Sequence, residues 1–593
     1  MDVLDSILDS NLLNRPRLRR YTALVHKDLS ETYSRDIQKW LLVAPIIGVA
    51  TGVVISGITL IILELLWARI LPFYLAHHWL IVPGLLAGFV ITGLIMQFLT
   101  PDPDEHSTEE IIRSYHEHQG DINMRPFFWK LLAAITTVAS GGSAALEGPS
   151  IYGGGAIGSW LWTKLERFGL EPRDRRLMLM CGAAAGMAAV FRAPLTGIVF
   201  ALEMPYKDDL AHEALLPSLI ASVVAYGTLA SLIGPEPLFG FLGTISFRPI
   251  DLAWSAALGI GCGIIAMVFT ITFRRFRGLM INLGIPHTYK MAAGGLMTGI
   301  CGLLFVAVFP GGLIPIGPNY EAVRMVLTQP HSSLELVFFA VLKLAATLFS
   351  LGVGGVSAMF VPLFLTGGAL GSAFAQSIVH TPTFDLFAAV GMASFIAAGY
   401  KTPLTAVVFV AETTGGHSFI IPSLIGAACA YAISGEASAS GDQRLHEVVK
   451  FSGIAGIRVS EVMQRRIVSV QTSTSLRDFA QGAAAHHRHA VFPVYDGDMA
   501  VGTVAVWMLT HFPPERWGEV TVGEVCNRTP ERVAPSCDTM EALRLLAEED
   551  SQQMLLVGSP NGGLDGIVTK TDILRSLRNG RASVSHDRRE DAE

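Results

Sequence analysis

Long apolar runs dominate the chain. Trp40 to Leu71 and Leu80 to Leu99 are nearly free of charge, and each is long enough to cross a hydrocarbon core of roughly 30 Å with some tilt. A polar stretch from Pro101 to Glu110, followed by His116 and His118, breaks this pattern until Phe127. From Phe127 to Met204 the apolar pieces are short and interrupted at Gly141, Pro149, Gly182 and Pro194, a pattern that predicts half-helices in place of simple spans. Longer apolar segments resume at about 212–234, 252–275, 290–309 and 334–351.

The interrupted pattern occurs twice. Gly154-Gly-Ala-Ile-Gly-Ser159 lies beside Gly367-Gly-Ala-Leu-Gly-Ser372, and this register also superposes Pro149 on Pro362. A second pair agrees: Arg192-Ala-Pro-Leu-Thr-Gly-Ile-Val-Phe-Ala-Leu-Glu203 matches Lys401-Thr-Pro-Leu-Thr-Ala-Val-Val-Phe-Val-Ala-Glu412. Repeats with discontinuous helices at matching places point to a transport site near the membrane midplane. The alternative reading of the glycines is plain close packing between helices.

Composition supports a polytopic membrane protein. Of 593 residues 51% are hydrophobic and 16% charged, with a mean hydropathy of +0.46, too apolar for a soluble chain of this length. The formal net charge of −7 conceals a bare middle, because ionisable residues crowd into the first ~36 and the last ~150 positions. No nucleic-acid partner is implied. Cys181, Cys262, Cys301, Cys429, Cys526 and Cys537 show no CxxC spacing, so neither a zinc site nor a disulfide framework is indicated, and buried thiols are expected. The first residues lack a basic region followed by an apolar core, so a cleaved signal is not expected. Arg15, Arg17, Arg19 and Arg20 predict a cytosolic N-terminus by the positive-inside rule. Past Gly435 the composition turns soluble, and Val459-Ser-Glu-Val-Met463 and Val522-Gly-Glu-Val-Cys526 open two similar units, each an apolar strand, a helix and a strand pair.

The candidate chemistry centres on Glu147, in Gly141-Gly-Ser-Ala-Ala-Leu-Glu-Gly-Pro149. Pro149 suits a first helical turn, where its missing N–H leaves nothing unpaired. The amides of Gly148, Ser150 and Ile151 then point out of a positive helix end that attracts an anion. An ionisable side chain in hydrocarbon is costly enough to read as functional, although a Glu at the interface can also snorkel to water. Arg192 and Lys401 either serve an anion vestibule or anchor the interface. His106, His116 and His118 on their polar segment read as solvated, with His106 also a candidate titratable donor. No nucleophile lies beside a base and no metal-ligand cluster is evident, so neither an enzyme nor a metal site is expected.

The Glu-Gly-Pro stretch, the repeat carrying Met359-Phe-Val-Pro362 and the duplicated tail together resemble the ClC family of chloride channels and proton-coupled chloride exchangers, with a pair of CBS domains. The resemblance covers about residues 38 to 578. It implies an all-α polytopic membrane domain over 37–450, built from two inverted repeats with broken helices, about 78–234 and 290–434. Two cytosolic α/β CBS domains would follow at 451–518 and 519–578, with a cytosolic segment at 1–36 and a disordered tail at 579–593.

The resemblance makes Glu147 the gate and the backbone N–H groups of Gly148, Met359, Phe360 and Val361 the anion donors. Its motifs are unevenly kept. Ala145-Leu-Glu-Gly-Pro149 has Ala and Leu where the family has Gly and a basic residue, and Glu105-His-Ser-Thr-Glu109 stands in place of GSGIP. The side-chain donor there is Ser107, or His106 in its stead, and Ser440 falls where the family has a tyrosine. Met204 takes the inner proton-relay position of many exchangers, and Glu203 keeps the preceding one. In the tail, Thr569 and Asp572 match groups that hold an adenine nucleotide (ATP, ADP or AMP), while the first copy lacks the acid, so at most one ordinary site is expected.

These features predict chloride transport across a membrane by a homodimer in the lipid bilayer, with cytosolic termini and CBS domains, in the cell (inner) membrane. No cofactor is required, chloride being the transported ligand. Because a thioether carries no proton, Met204 places a voltage- or pH-gated chloride channel first. A proton-coupled chloride exchanger is the alternative, and a sensor with an inactive pore a third reading.

Overall fold

The structure, a computed structural model, describes residues 34–102, 107–168, 170–239, 247–310, 313–381, 383–445, 457–487, 490–548, 554–558 and 563–573. His106, nearly all of the expected N-terminal segment and the expected tail lie outside them. The chain divides into two compact units, 1–447 and 448–593.

In the first unit seven of the described helices are long and apolar enough to cross a membrane, and shorter apolar helices accompany them. Helix α1 (Ser34–Thr59) passes through a π-helical turn, Leu60–Trp67, into α2 (Ala68–Ala76). A set of seven helices follows: α3 (Ile81–Leu99), α4 (Ser107–Glu117), α5 (Phe127–Ala139), α6 (Glu147–Leu165), α7 (Pro172–Phe191), α8 (Pro194–Glu203) and α9 (Leu215–Ile233). After the long α10 (Pro249–Asn282) the set recurs as α11 (His287–Val308), α12 (Tyr320–Thr328), α13 (Ser333–Leu351), α14 (Phe360–Phe374), α15 (Phe384–Tyr400), α16 (Pro403–Thr414) and α17 (Ile420–Ile433). The two sets are the repeats visible in the sequence.

The half-helix expectation holds for α5 and α8, at 13 and 10 residues, but not for their neighbours. Helices α6 and α7 run 19 and 20 residues. Both carry glycine and alanine on buried faces, and small residues there allow backbones to approach. Gly182 is the clearest case, a crossing point inside α7 where the sequence pattern reads as a break. A Cβ on Gly182 would lie 1.9 Å from the carbonyl oxygen of Gly154, and one on Gly154 2.0 Å from that of Gly182. The second repeat has the same crossing, with Gly367 and Gly391 at 2.2 and 2.1 Å. The motif Gly-Gly-Ala-(Ile/Leu)-Gly-Ser therefore serves packing in both copies.

Arg192 and Lys401 also correspond. Each has a positive φ, 54° and 60°, ends the preceding helix, and stands two residues before a proline that opens the next. Proline at the first helical turn leaves no amide unpaired and fixes the turn. Arg192 donates to the Glu236 carbonyl at 3.0 Å, whereas Lys401 is buried and donates to Ser434 Oγ at 2.6 Å.

The second unit contains two three-stranded sheets of one pattern. In the first, β1 (Val470–Gln471) pairs parallel with β2 (Val491–Asp496), which pairs antiparallel with β3 (Met499–Ala505). In the second, β4 (Arg532–Val533), β5 (Met554–Gly558) and β6 (Leu564–Thr569) repeat the order and directions. Each sheet has its own apolar core, one around Phe479, Phe492 and Val504 and the other around Leu546, Leu555 and Val568. All six cysteines are free. Cys181, Cys262 and Cys301 are buried as expected, but Cys429, Cys526 and Cys537 are half-buried.

Candidate functional site: two helix ends meeting at Glu147

The loops before α6 and α14 cross as an antiparallel bridge between Ala145 and Ala358, where the Ala145 N–H donates to the Ala358 carbonyl at 3.0 Å. Ser357 Oγ donates to the Ala145 carbonyl. A Cβ on Gly148 would come within 2.7 Å of the Ser357 backbone, so glycine is what lets the two helix starts approach. Two N-termini with their partial positive charges are thereby brought together.

Glu147 and Phe360 occupy the same position in the two repeats, and each begins its helix. The Phe360 N–H donates to Glu147 Oε1 at 2.6 Å, and Glu147 is 1% exposed. Its Oε2 has no hydrogen-bond partner among the described residues. The preceding amide, of Met359, donates to Tyr400 Oη at 3.0 Å. Val361, next in α14, and Gly148, across from it in α6, are both buried at the same junction. Rings of Phe191, Phe200, Tyr400 and Phe409 surround Phe360. A carboxylate and a phenol oxygen thus occupy two successive amide donors of a helix start, the type of site that binds anions.

Two cavities adjoin this junction. A chamber of about 30 Å³ is lined by Thr108, Glu109, Arg277, Met359, Tyr400 and Ser440, among others. A wider vestibule of about 290 Å³ shares Glu109, Phe273, Arg277 and Ala439 with it and adds Asp102, Arg113, Arg274 and Asp442. Glu109 and Arg277 are ion-paired at 2.7 Å, so the pair borders both spaces.

Several sequence-predicted residues are placed by these contacts. Ser440 is buried and lines the chamber. Ser107 begins α4, next to Thr108 on the chamber wall. Met204 is buried, and its carbonyl accepts from Gln443 Nε2, which also donates to the Tyr400 carbonyl. Glu203 is buried beside Met204. Its carboxylate accepts from the N–H groups of Leu404 and Thr405 at 3.0 and 2.8 Å and from Thr405 Oγ1 at 2.6 Å, closing the start of α16. His116, expected to be solvated, is buried, with Nε2 2.8 Å from the Pro205 carbonyl and its ring edge-on to Tyr115 and Tyr206. The amphipathic face of α4 turns it inward, a signal present in the sequence. Tyr400 was missed because it lies outside the family motifs, yet its position just before the second Pro-Leu-Thr segment marks a helix end in both repeats.

In the tail, Asp572 Oδ2 accepts from the N–H and Oγ1 of Thr569 at 3.0 and 2.6 Å, and Oδ1 accepts from Gln464 Nε2 at 2.8 Å. The two residues read as nucleotide ligands are thus bonded to each other and to Gln464, which follows the Val459-Ser-Glu-Val-Met463 segment in the same compact unit.

The profile of voltage gated chloride channels matches residues 87–435, and the CBS domain profile matches 459–512 and 522–579. The chain is 29% identical over 320 residues to an H(+)/Cl(-) exchange transporter ClcA of Yersinia pestis bv. Antiqua (strain Angola), covering 51% of this chain and 65% of that relative. It therefore spans just under two thirds of that relative's length. A ClcA of Klebsiella pneumoniae subsp. pneumoniae is 26% identical over 373 residues, covering 59% of this chain and 75% of the relative. Among solved structures, a CLC-type fluoride/proton antiporter aligns with a TM-score of 0.61 at 24% identity, over 70% of this chain and 100% of that one. A eukaryotic CLC transporter aligns with a TM-score of 0.57 at 18% identity, over 90% and 98%. The fold is shared with both. With its repeated membrane helices and its two CBS domains, the chain is an integral multi-pass membrane protein that belongs to the voltage gated chloride channel family.

Proposed function

We propose that the protein exchanges protons for chloride across a membrane, with Glu147 as the gate. The observation that carries this reading is the Phe360 N–H bonded to a buried Glu147 carboxylate at the junction of two helix starts. An anion at these amides and the charged carboxylate exclude one another, because both need the same donors and repel at short range. Protonation of Glu147 removes the competing charge, the anion takes the amides of Phe360, Met359 and Val361 with that of Gly148 opposite, and the proton leaves by the other side. Each cycle then couples one species to the other. Ser440, with Ser107 or His106, completes the inner end of the anion route in this reading.

Exchange takes precedence over the channel expectation because the relatives are named exchange transporters, although Met204 offers no acid at the inner position. The carboxylate contacts of Glu203 favour a bracing role for it. The vestibule is assigned to the cytosolic side on the basic residues Arg113, Arg274 and Arg277 around it. We also assign the exposed apolar residues Leu195 on α8 and Leu404 on α16 to the face of a homodimer, which cross-linking through Leu404→Cys tests. At the CBS pair, one adenine-nucleotide site at Thr569 and Asp572 is assigned a regulatory role.

Proteoliposomes with an outward chloride gradient test the main reading. Uphill proton movement into the vesicles, driven by chloride leaving them, is expected. Chloride efflux with no proton movement returns the channel reading.

A further inference from the structure

The exchange reading leaves the inner half of the proton route without a carrier. Met204 has a thioether, and among the described residues the Glu203 carboxylate accepts its hydrogen bonds from the start of α16. Among the described residues lining the small chamber, Glu109 is the only carboxylate. It is also part of the vestibule wall, and its side chain is 22% exposed, so it reaches water on one side and the chamber on the other. The same chamber is lined by Tyr400, whose hydroxyl accepts from the Met359 amide, one residue before the amide that donates to Glu147. The chamber, at about 30 Å³, has room for one or two waters.

From this arrangement we propose that Glu109 is the proton carrier at the inner mouth, so that protons and anions enter through the same opening. The step balances simply. Glu109 takes a proton from vestibule water and becomes the neutral acid, releases it to water in the chamber, and returns to the carboxylate. The Tyr400 hydroxyl passes a proton on by accepting one at Oη as its own departs, and Glu147 is the final acceptor. Arg277, paired with Glu109 at 2.7 Å, keeps the charged form in place between turnovers, while the Gly441 N–H lies 3.4 Å from the other oxygen. Asp102, Arg113, Arg274 and Asp442 are the further charged groups facing Glu109 across the vestibule. A neutral Glu109 also releases Arg277 toward an incoming anion, which links the arrival of the two species at one point.

This inference rests on the exchange reading, and one set of measurements separates the two. The full chain and its Glu109→Gln, Glu109→Ala and Glu109→Asp variants are reconstituted in vesicles with a chloride gradient, and proton and chloride movements are recorded together. The expected result is that the proton-to-chloride ratio falls to near zero in Glu109→Gln and Glu109→Ala while Glu109→Asp keeps it. If one neutral variant does not give dispersed protein, the other decides. A neutral variant that keeps the wild-type ratio overturns the inference and leaves exchange intact. A wild-type chain that moves chloride without protons overturns both.

Discussion

Glu203 closes the start of the helix that ends near Glu412, and Glu412 closes the start of the helix that ends at Glu203. The Glu203 oxygens take the amides of Leu404 and Thr405, and those of Glu412 take the amides of Leu195 and Thr196 at 2.9 and 2.6 Å, each with the threonine hydroxyl at 2.6 Å. This exchange of caps between α8 and α16 relates the two repeats chemically as well as by sequence. A carboxylate at a helix N-terminus satisfies amides that have no partner within the helix.

Replacing either carboxylate should therefore loosen the join between repeats. Hydrogen bonds to a charged group contribute about 1.5–3 kcal/mol each, so Glu203→Ala and Glu412→Ala should both lower the unfolding temperature in detergent, by similar amounts. Glu203→Gln, where it folds, should keep proton coupling. A loss of coupling with unchanged stability would instead make Glu203 a relay.

Glycine crossings set a second expectation. Gly182→Ala places a methyl 1.9 Å from the Gly154 carbonyl, closer than any packed interior tolerates. The variant should fail to give dispersed protein, and Gly391→Ala, its counterpart in the second repeat, should fail in the same way. By contrast, Gly261→Ala, with nothing within 4 Å of the added carbon, should fold normally. Size-exclusion profiles distinguish these outcomes.

The repeats, the two-part organisation and the place of Glu147 were legible in the sequence because each leaves a local signature: a glycine motif, a Pro-Leu-Thr segment, a shift in composition. What stayed hidden depends on distance between segments. Nothing local to Phe384–Tyr400 shows that the Tyr400 hydroxyl meets the Met359 amide. Glu203 and Met204 are neighbours in sequence, yet the groups that the Glu203 side chain meets belong to a helix some 200 positions away, as the partners Leu404 and Thr405 show. The full length of α6 and α7 was obscured for the opposite reason, since a proline in a first turn, as at Pro149, and a glycine at a helix crossing, as at Gly182, resemble a break in sequence.

Arg277 offers a test of anion entry. It borders both cavities, and a positive charge at a constricted mouth raises the local anion concentration. Arg277→Gln should slow chloride flux by about tenfold at low salt, Arg277→Lys should restore most of it, and the deficit should shrink as ionic strength screens the charge.

For the CBS pair, calorimetry on the full chain with ATP, ADP and AMP should show at most one site per chain, weakened in Asp572→Ala. Because that carboxylate also bonds Thr569 and Gln464, the same variant should unfold at a lower temperature without nucleotide. Absence of heat at millimolar nucleotide would assign Asp572 to bracing alone.

In the exchange mechanism proposed above, one carboxylate, Glu147, couples two ions. Reversal potentials in a planar bilayer, with opposed chloride and proton gradients, address it most directly. The account predicts that the wild-type reversal potential shifts with the proton gradient as well as with chloride, and that Glu147→Ala follows chloride alone. A wild-type reversal potential that tracks chloride and ignores the proton gradient contradicts it.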